Sequence, residues 1–280
     1  EAIPTEVGLD QQSPMHDLPS GVEFGTAVHA VFERVDPTAA DLPAALRQAC
    51  ALTLAQGPAA TMTADALASA LLPAFRTPLG PLADEQRLCD ISRGDRLAEL
   101  SFEYPLTGGD MTNAEVTLGM VGPLLRRHLA PSDPLTGYPD SLDDPALSMQ
   151  ALRGYLTGSI DAVLRIRRDD EPPRYLVVDY KTNWLGGFDG EVLKIGDYTP
   201  ARMAAAMMSA HYPLQALLYA VAVHRMLRWR QPDYDPAVHL GGILYLFVRG
   251  MAGPETPRVD GVPCGVFSWR PPASLVVELS

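Results

Sequence analysis

The sequence predicts an α/β protein: a mixed central sheet flanked by helices, with a helical region added on the N-terminal side. Three observations carry that expectation. Residues 158–166 and 175–184 are apolar runs rich in β-branched residues on either side of a charged, proline-containing turn, Arg167–Arg174, which reads as an antiparallel hairpin. Gly242–Val248 is continuously apolar, as befits a central strand covered on both faces. Val22–Val35, Leu42–Ala55, Ala64–Phe75 and Leu214–Arg230 carry helical patterns that supply the flanking layers.

In chain order, residues 1–19 hold three prolines and no apolar period and read as linker, leaving residues 20–280 as one domain. In the first helix Phe24, Val28, Val31, Phe32 and Val35 form one buried face, with His29 beside it. The next two helices, separated by Gln56-Gly57-Pro58, are alanine- and leucine-rich and show packing without chemistry. Leu97–Leu106 alternates as a strand ended by proline, and on it Glu99 reads as a solvated edge carboxylate or a ligand. Met111–Leu129 is interrupted by Gly122-Pro123, and Pro131–Pro145 is loop-like. After the hairpin, a glycine-containing connector at 186–197 has no evident role, and Pro200–His211 is helical with methionines as core filler. Gly265–Trp269 is an edge strand, and Ala273 opens a last helix.

Composition narrows the function. With 47% apolar residues in 280, a sizeable core is available, and no run approaches the ~18 apolar residues of a membrane span. Cys50, Cys89 and Cys264 are scattered and odd in number, without disulfide or metal-ligand spacing, which makes the reducing cytoplasm the expected compartment. The chain opens on Glu-Ala-Ile-Pro and stops inside an apolar run, as expected of a piece of a longer polypeptide. A net charge of −12 argues against unaided capture of nucleic acid. No GxGxxG or GxxxxGK[ST] loop is present, so neither nucleotide binding nor a helicase motor is expected in this segment.

The chemistry concentrates at the hairpin. Side chains two apart on a strand share a face, so Asp179 and Lys181 point the same way and Val178 and Tyr180 the other. An ion pair closing the strand, bridged to Asp161, is the plain alternative. The sharper one is a divalent cation site. Two carboxylates about 4 Å apart repel by roughly 4 kcal/mol at an effective dielectric near 20, and a bound cation reverses that sign. Hard Mg²⁺ takes carboxylates, water and phosphate oxygens. His29 is a core histidine or a metal ligand. Arg225, Arg228, Trp229 and Arg230, with His224, close the long helix; they either complement its C-terminal dipole or form a phosphate-contacting patch with an aromatic for base stacking.

Four blocks in order, Gly-Ser-Ile-Asp-Ala-Val-Leu-Arg (158–165), Val-Asp-Tyr-Lys-Thr-Asn-Trp-Leu-Gly (178–186), Met-Ala-Ala-Ala-Met with His-Tyr-Pro-Leu-Gln-Ala-Leu-Leu-Tyr (203–219) and Gly-Gly-Ile-Leu-Tyr-Leu-Phe-Val-Arg-Gly (241–250), resemble the C-terminal nuclease domain of the bacterial RecB family. That family lies within the PD-(D/E)xK, restriction-endonuclease-like group. The resemblance implies that Asp161, Asp179 and Lys181 are catalytic. It also implies a metal site of His29, Asp161, Asp179 and the backbone carbonyl of Tyr180, with Glu99 as a looser match. Gln215 and Tyr219 match a Q-x-x-x-Y element near the DNA strand. The implied cofactor is Mg²⁺, with Mn²⁺ able to substitute and Ca²⁺ able to bind without supporting catalysis. An iron–sulfur staple found in some relatives is not expected from three scattered cysteines. The implied function is cleavage of DNA, mainly single strands fed by the helicase part of the same polypeptide with RecC-like and RecD-like subunits, in double-strand break processing and recombinational repair. The rival reading is a non-catalytic docking domain that keeps the fold to bind DNA or partner subunits.

Overall fold

A computed structural model describes residues 8–57, 62–106, 117–169, 171–187 and 190–280. Its strands are β1 (Arg96–Pro105), β2 (Tyr155–Arg168), β3 (Glu171–Lys181), β4 (Leu240–Phe247), the short β5 (Arg258–Val259) and β6 (Val262–Pro263), and β7 (Val266–Trp269). Five of them form one sheet in the order β1-β2-β3-β4-β7, and β5 pairs only with β6. The pairings are antiparallel except β3 with β4, which run parallel. The mixed α/β class expected from the sequence is the one observed.

The helices are α1 (Val22–Arg34), α2 (Leu42–Gln56), α3 (Ala64–Arg76), α4 (Val121–His128), α5 (Tyr138–Ser141), α6 (Pro145–Ser148), α7 (Pro200–Ser209), α8 (Tyr212–Arg230), α9 (Pro236–His239) and α10 (Ala273–Leu279). Parallel strands cannot be joined by a tight turn; α7, α8 and α9 lie in the crossover between β3 and β4. The predicted α1 face is buried as expected at Phe24, Val28, Val31 and Phe32. Asp41 caps α2 and Thr63 caps α3, each side chain accepting a first-turn N–H. Gly122-Pro123 falls in the first turn of α4, where a proline costs no hydrogen bond. Residues 111–116 of the ambiguous stretch lie outside the described residues. The loop-like 131–145 region contributes Leu135, Tyr138 and Leu142 to the interior.

Two cores sandwich the sheet. One holds α1, α2 and α3 against Ala162, Leu164, Ile166, Leu176, Val178 and Tyr180. The other holds α4, α7, α8 and α10 against Val163, Val177, Ile243, Tyr245 and Phe247. A regular strand would put Ile160, Ala162, Leu164 and Ile166 on one face, but the alternation breaks at Asp161: Ile160 belongs to the second core and Ala162 to the first. β1 turns over in the same place. Arg96 donates to the carbonyls of Phe32 in α1 and of Val35, its C-cap, on one side of the sheet, while Leu100 and Phe102 pack into the second core. The backbone cause is Glu99, held at φ 49° in the left-handed region.

Residues 8–19, expected as linker, are packed. The Ser13 N–H donates to Leu193 O, that of Ile195 to Gln11 O and that of Gly196 to Leu9 O, at 2.8–2.9 Å. Ser13, Met15 and Leu18 are buried. An extended strap buries single residues at irregular intervals, so it leaves no period in the sequence. Its pairing also accounts for the connector after the hairpin, whose residues 193–196 are its partner. Residues 1–7 lie outside the described residues. Among the described residues no helix is long and apolar enough to cross a membrane.

Candidate active site

The place where β1 and β2 turn over is also where the charged groups meet. Pairs Ala98 with Ala162 and Leu100 with Ile160 flank Glu99 and Asp161, and Ala162 pairs with Val178 one step from Asp161 and Asp179. The register therefore sets Glu99, Asp161 and Asp179 side by side on three neighbouring strands, followed by Tyr245 on β4. His29 comes from α1 on one face, Lys181 and Gln215 from the other; a row at which the strands change sides lets both faces contribute.

The side chains form two adjacent groups of contacts, one around Asp161 and one around Lys181. Asp161 Oδ2 accepts the Tyr180 N–H at 2.7 Å, and Asp161 Oδ1 lies 3.2 Å from His29 Nδ1. Lys181 Nζ lies 2.7 Å from Asp179 Oδ2. It donates to Gln215 Oε1 at 3.3 Å and sits 4.0 Å above the Tyr212 ring. Gln215 Nε2 donates to Tyr219 OH at 2.9 Å, and Tyr245 OH donates to Gln215 Oε1 at 3.0 Å. Tyr180 points its ring to the other face, stacked on Phe32 with centroids 4.1 Å apart. Glu99 Oε2 accepts from Ser159 Oγ at 2.7 Å. An open cavity of about 500 Å³ lies at the mouth, lined by Gly25, Thr26, His29, Ala30, Glu33 and Glu99.

Electrostatics mark Asp179 as the strained member. Burial pushes its carboxyl up, the Lys181 ammonium opposes that shift, and Asp161 adds to it. Asp179 Oδ2 is buried and is met by the Lys181 ammonium at 2.7 Å. For His29, burial disfavours the charged ring, but the hydrogen bond and charge of Asp161, with Asp179 behind it, outweigh burial and raise its pKa.

Of the predicted residues, His29, Asp161, Asp179, Lys181, Gln215 and Tyr219 converge, with Glu99 at the rim. Arg225 and Arg228 do not: at ~1.5 Å per helical residue they lie about 15–20 Å along α8 from Gln215. Arg225 donates to the carbonyls of Pro105 and Ser280 and lies over the Tyr104 ring. Phosphate contact, expected for it from its place near a helix end, would have to displace those bonds. Tyr212, Tyr245 and Ser159 were not singled out from the sequence. The one available signal was Tyr245, whose hydroxyl inside an apolar strand needs a partner.

Among the described residues no group of three or more His, Cys, Asp and Glu side chains is gathered in metal-holding geometry; the carboxylates are paired locally as above. The donor set still fits a hard cation. Two carboxylates in register on neighbouring strands, with an imidazole 3.2 Å from one of them, are oxygen and nitrogen donors of the kind such a cation takes, and burial already works against the charge of Asp179.

A mixed sheet that brings a strand-end Asp-x-Lys against a neighbouring strand's aspartate defines the chain as a nuclease-type fold. A family model of the PD-(D/E)XK nuclease superfamily matches residues 5–263, and the chain belongs to that superfamily. Among curated proteins it is similar to "RecBCD enzyme subunit RecB" of Mycolicibacterium smegmatis, 53% identical over 98% of this chain and 25% of that protein. It is also similar to the subunits of that name in Mycobacterium tuberculosis, 52% identical over 98% of this chain and 24% of theirs, and Escherichia coli, 32% identical over 93% and 19%. The chain thus spans about a quarter of the length of the mycobacterial relatives.

Proposed function

We propose that this chain is a divalent-metal-dependent deoxyribonuclease, a single domain within a longer RecB-type polypeptide, that hydrolyses phosphodiester bonds mainly in single strands delivered by a helicase. The observation that carries the reading is the buried Asp179 carboxylate, set in register with Asp161 on the neighbouring strand and 2.7 Å from the Lys181 ammonium.

In this reading Asp161, Asp179, His29 and the Tyr180 carbonyl hold Mg²⁺ or Mn²⁺, with Glu99 joining from the rim; Ca²⁺ binds without turnover. A bound divalent cation supplies Lewis-acid polarisation of a phosphate oxygen and makes water a stronger acid. Lys181, steadied by Gln215 and the Tyr212 ring, orients the attacking water and offsets charge building on phosphorus. Gln215 and Tyr219, on the wall beside it, contact the DNA strand. Delivery by a motor agrees with the net charge of −12. It also agrees with the arginines of the hairpin turn, where Arg165, Arg167, Arg168 and Arg174 are paired with Asp95 or Asp84. RecC-like and RecD-like partners, suggested by the relatives' name, belong to this proposal, as do a cytoplasmic setting and a role in double-strand break processing and recombinational repair.

The test is cleavage of single-stranded DNA by the chain in Mg²⁺, in Ca²⁺ and in excess EDTA, beside duplex DNA and RNA. Cleavage in Mg²⁺ alone is expected; cleavage undiminished by EDTA, or none with any metal, sinks the reading in favour of a docking domain. Lys181→Met is expected to lower the rate about 10²-fold, the range of a positioned proton-transfer group. It should leave Ca²⁺ binding intact, because the ammonium competes with a cation for Asp179. Abolished Ca²⁺ binding in calorimetry would make Lys181 a structural residue.

A further inference from the structure

The Gly158-Ser159-Ile160-Asp161 stretch carries a hydroxyl that the reaction above does not use. Gly158 itself is explained by packing, since a Cβ there would meet Phe102 Cζ at 2.7 Å. Ser159 pairs with Ser101 across β1 and β2, one pair beyond Leu100 and Ile160, and its Oγ donates to Glu99 Oε2 at 2.7 Å. Glu99 is mid-strand yet left-handed at φ 49°, a backbone state that a non-glycine residue keeps only where its surroundings hold it. It is in register with Asp161 and shares the open cavity with His29.

We propose that Ser159 is a positioning residue that holds the Glu99 carboxylate toward the row of Asp161 and Asp179, so that Glu99 is pre-aimed at an incoming divalent cation. This rests on the metal-dependent reading above. A glutamate at an exposed rim has several rotamers, and fixing them costs side-chain entropy. A hydroxyl bonded to one carboxylate oxygen meets part of that cost before the cation arrives. The bond is charge-assisted, which makes it a stronger tether than one between neutral groups. Because the hydroxyl occupies one oxygen of Glu99, the second remains for the cation. The flipped backbone at Glu99 sets where the side chain leaves the strand, and Ser159 sets where it ends.

The experiment is titration of Ca²⁺, which needs no turnover, into the wild-type chain, Ser159→Ala, Ser159→Thr, Glu99→Gln and the Ser159→Ala/Glu99→Gln double variant, with a thermal melt of each in EDTA. Ser159→Ala is expected to weaken Ca²⁺ binding about tenfold, the lower range for loss of a residue that orients a ligand, with an unchanged melt. Ser159→Thr restores binding, because its hydroxyl can donate in the same way. The double variant binds no more weakly than Glu99→Gln alone, since a residue acting through Glu99 has nothing left to act on. Equal affinity of wild type and Ser159→Ala overturns the proposal, as do independent, multiplying losses in the double variant. Those results leave the metal reading standing where the wild type binds Ca²⁺ and Asp179→Asn does not. A wild type that binds no Ca²⁺ sinks the metal reading, and this proposal with it.

Discussion

Asp179→Asn is expected to cost catalysis about 10³-fold or more while raising the melting temperature of the metal-free chain. The first half follows from the several kcal/mol that a Lewis acid contributes to phosphoryl chemistry, at ~1.4 kcal/mol per tenfold in rate. The second half follows from the folded state as it stands. Burial lifts the Asp179 carboxyl further than Lys181 draws it down, so without a cation the fold resists the ionised form. The sign is therefore opposite to that of an ordinary salt-bridged aspartate. The penalty is fully present at pH values above the raised pKa and vanishes as pH falls below the usual carboxylate value of about 4. Asparagine keeps the shape without the charge, so it relieves the desolvation that outweighs the attraction of Lys181, at the cost of that smaller attraction. Calorimetric melts in EDTA at pH 8 should show the variant above wild type, with the gap closing as the pH is lowered toward 4. A variant that melts below wild type at pH 8 would mean that Asp179 and Lys181 are simply an ion pair closing β3, and the site assignment would lose its strongest support.

The hairpin, the central strand and the α1 face could be read from the sequence because each repeats a simple pattern over many residues. The shared face of Asp179 and Lys181 was legible for the same reason. The change of sides at Glu99 and Asp161 was not. A left-handed glutamate carries no compositional mark as a glycine would, and a single flip leaves an apparently regular alternation on both sides of it. Nor was the partnership of Lys181 with Gln215, since a strand-to-helix contact 34 residues apart has no local pattern. His29 was ambiguous alone, because periodicity places it beside the buried face of α1 but not against a carboxylate on β2. The strap at 8–19 escaped because its order comes from backbone pairing and from one distant side chain, Arg249.

That arginine is the second place where a large effect is expected. Arg249 follows β4 and is completely buried. Its guanidinium donates to Thr182 O at 2.9 Å, Met15 O at 2.8 Å, Leu18 O at 3.4 Å and to Pro19 O. It lies 4.6 Å from the Phe24 ring centroid and 5.4 Å from that of Trp184. Ser13 Oγ returns a hydrogen bond to the Arg249 carbonyl at 2.6 Å. Burial lowers its pKa, yet a guanidinium stays protonated in proteins, so its charge is balanced by carbonyl dipoles and ring faces. Arg249→Met leaves those carbonyls without a donor while sparing the guanidinium its own desolvation, a net loss of about 3–5 kcal/mol. At ~2–4 °C per kcal/mol for a large domain, the melt should fall by at least several degrees. Arg249→Lys should recover only part, because a single ammonium cannot reproduce a planar fork reaching two chain segments. The strap it pins runs into α1, and Thr182 follows Lys181, so the loss should reach the site as well: Ca²⁺ affinity should drop at a temperature where the variant is still folded. Unaltered melting and Ca²⁺ binding in Arg249→Met would show that the strap and α1 hold their places through backbone pairing and apolar contact alone.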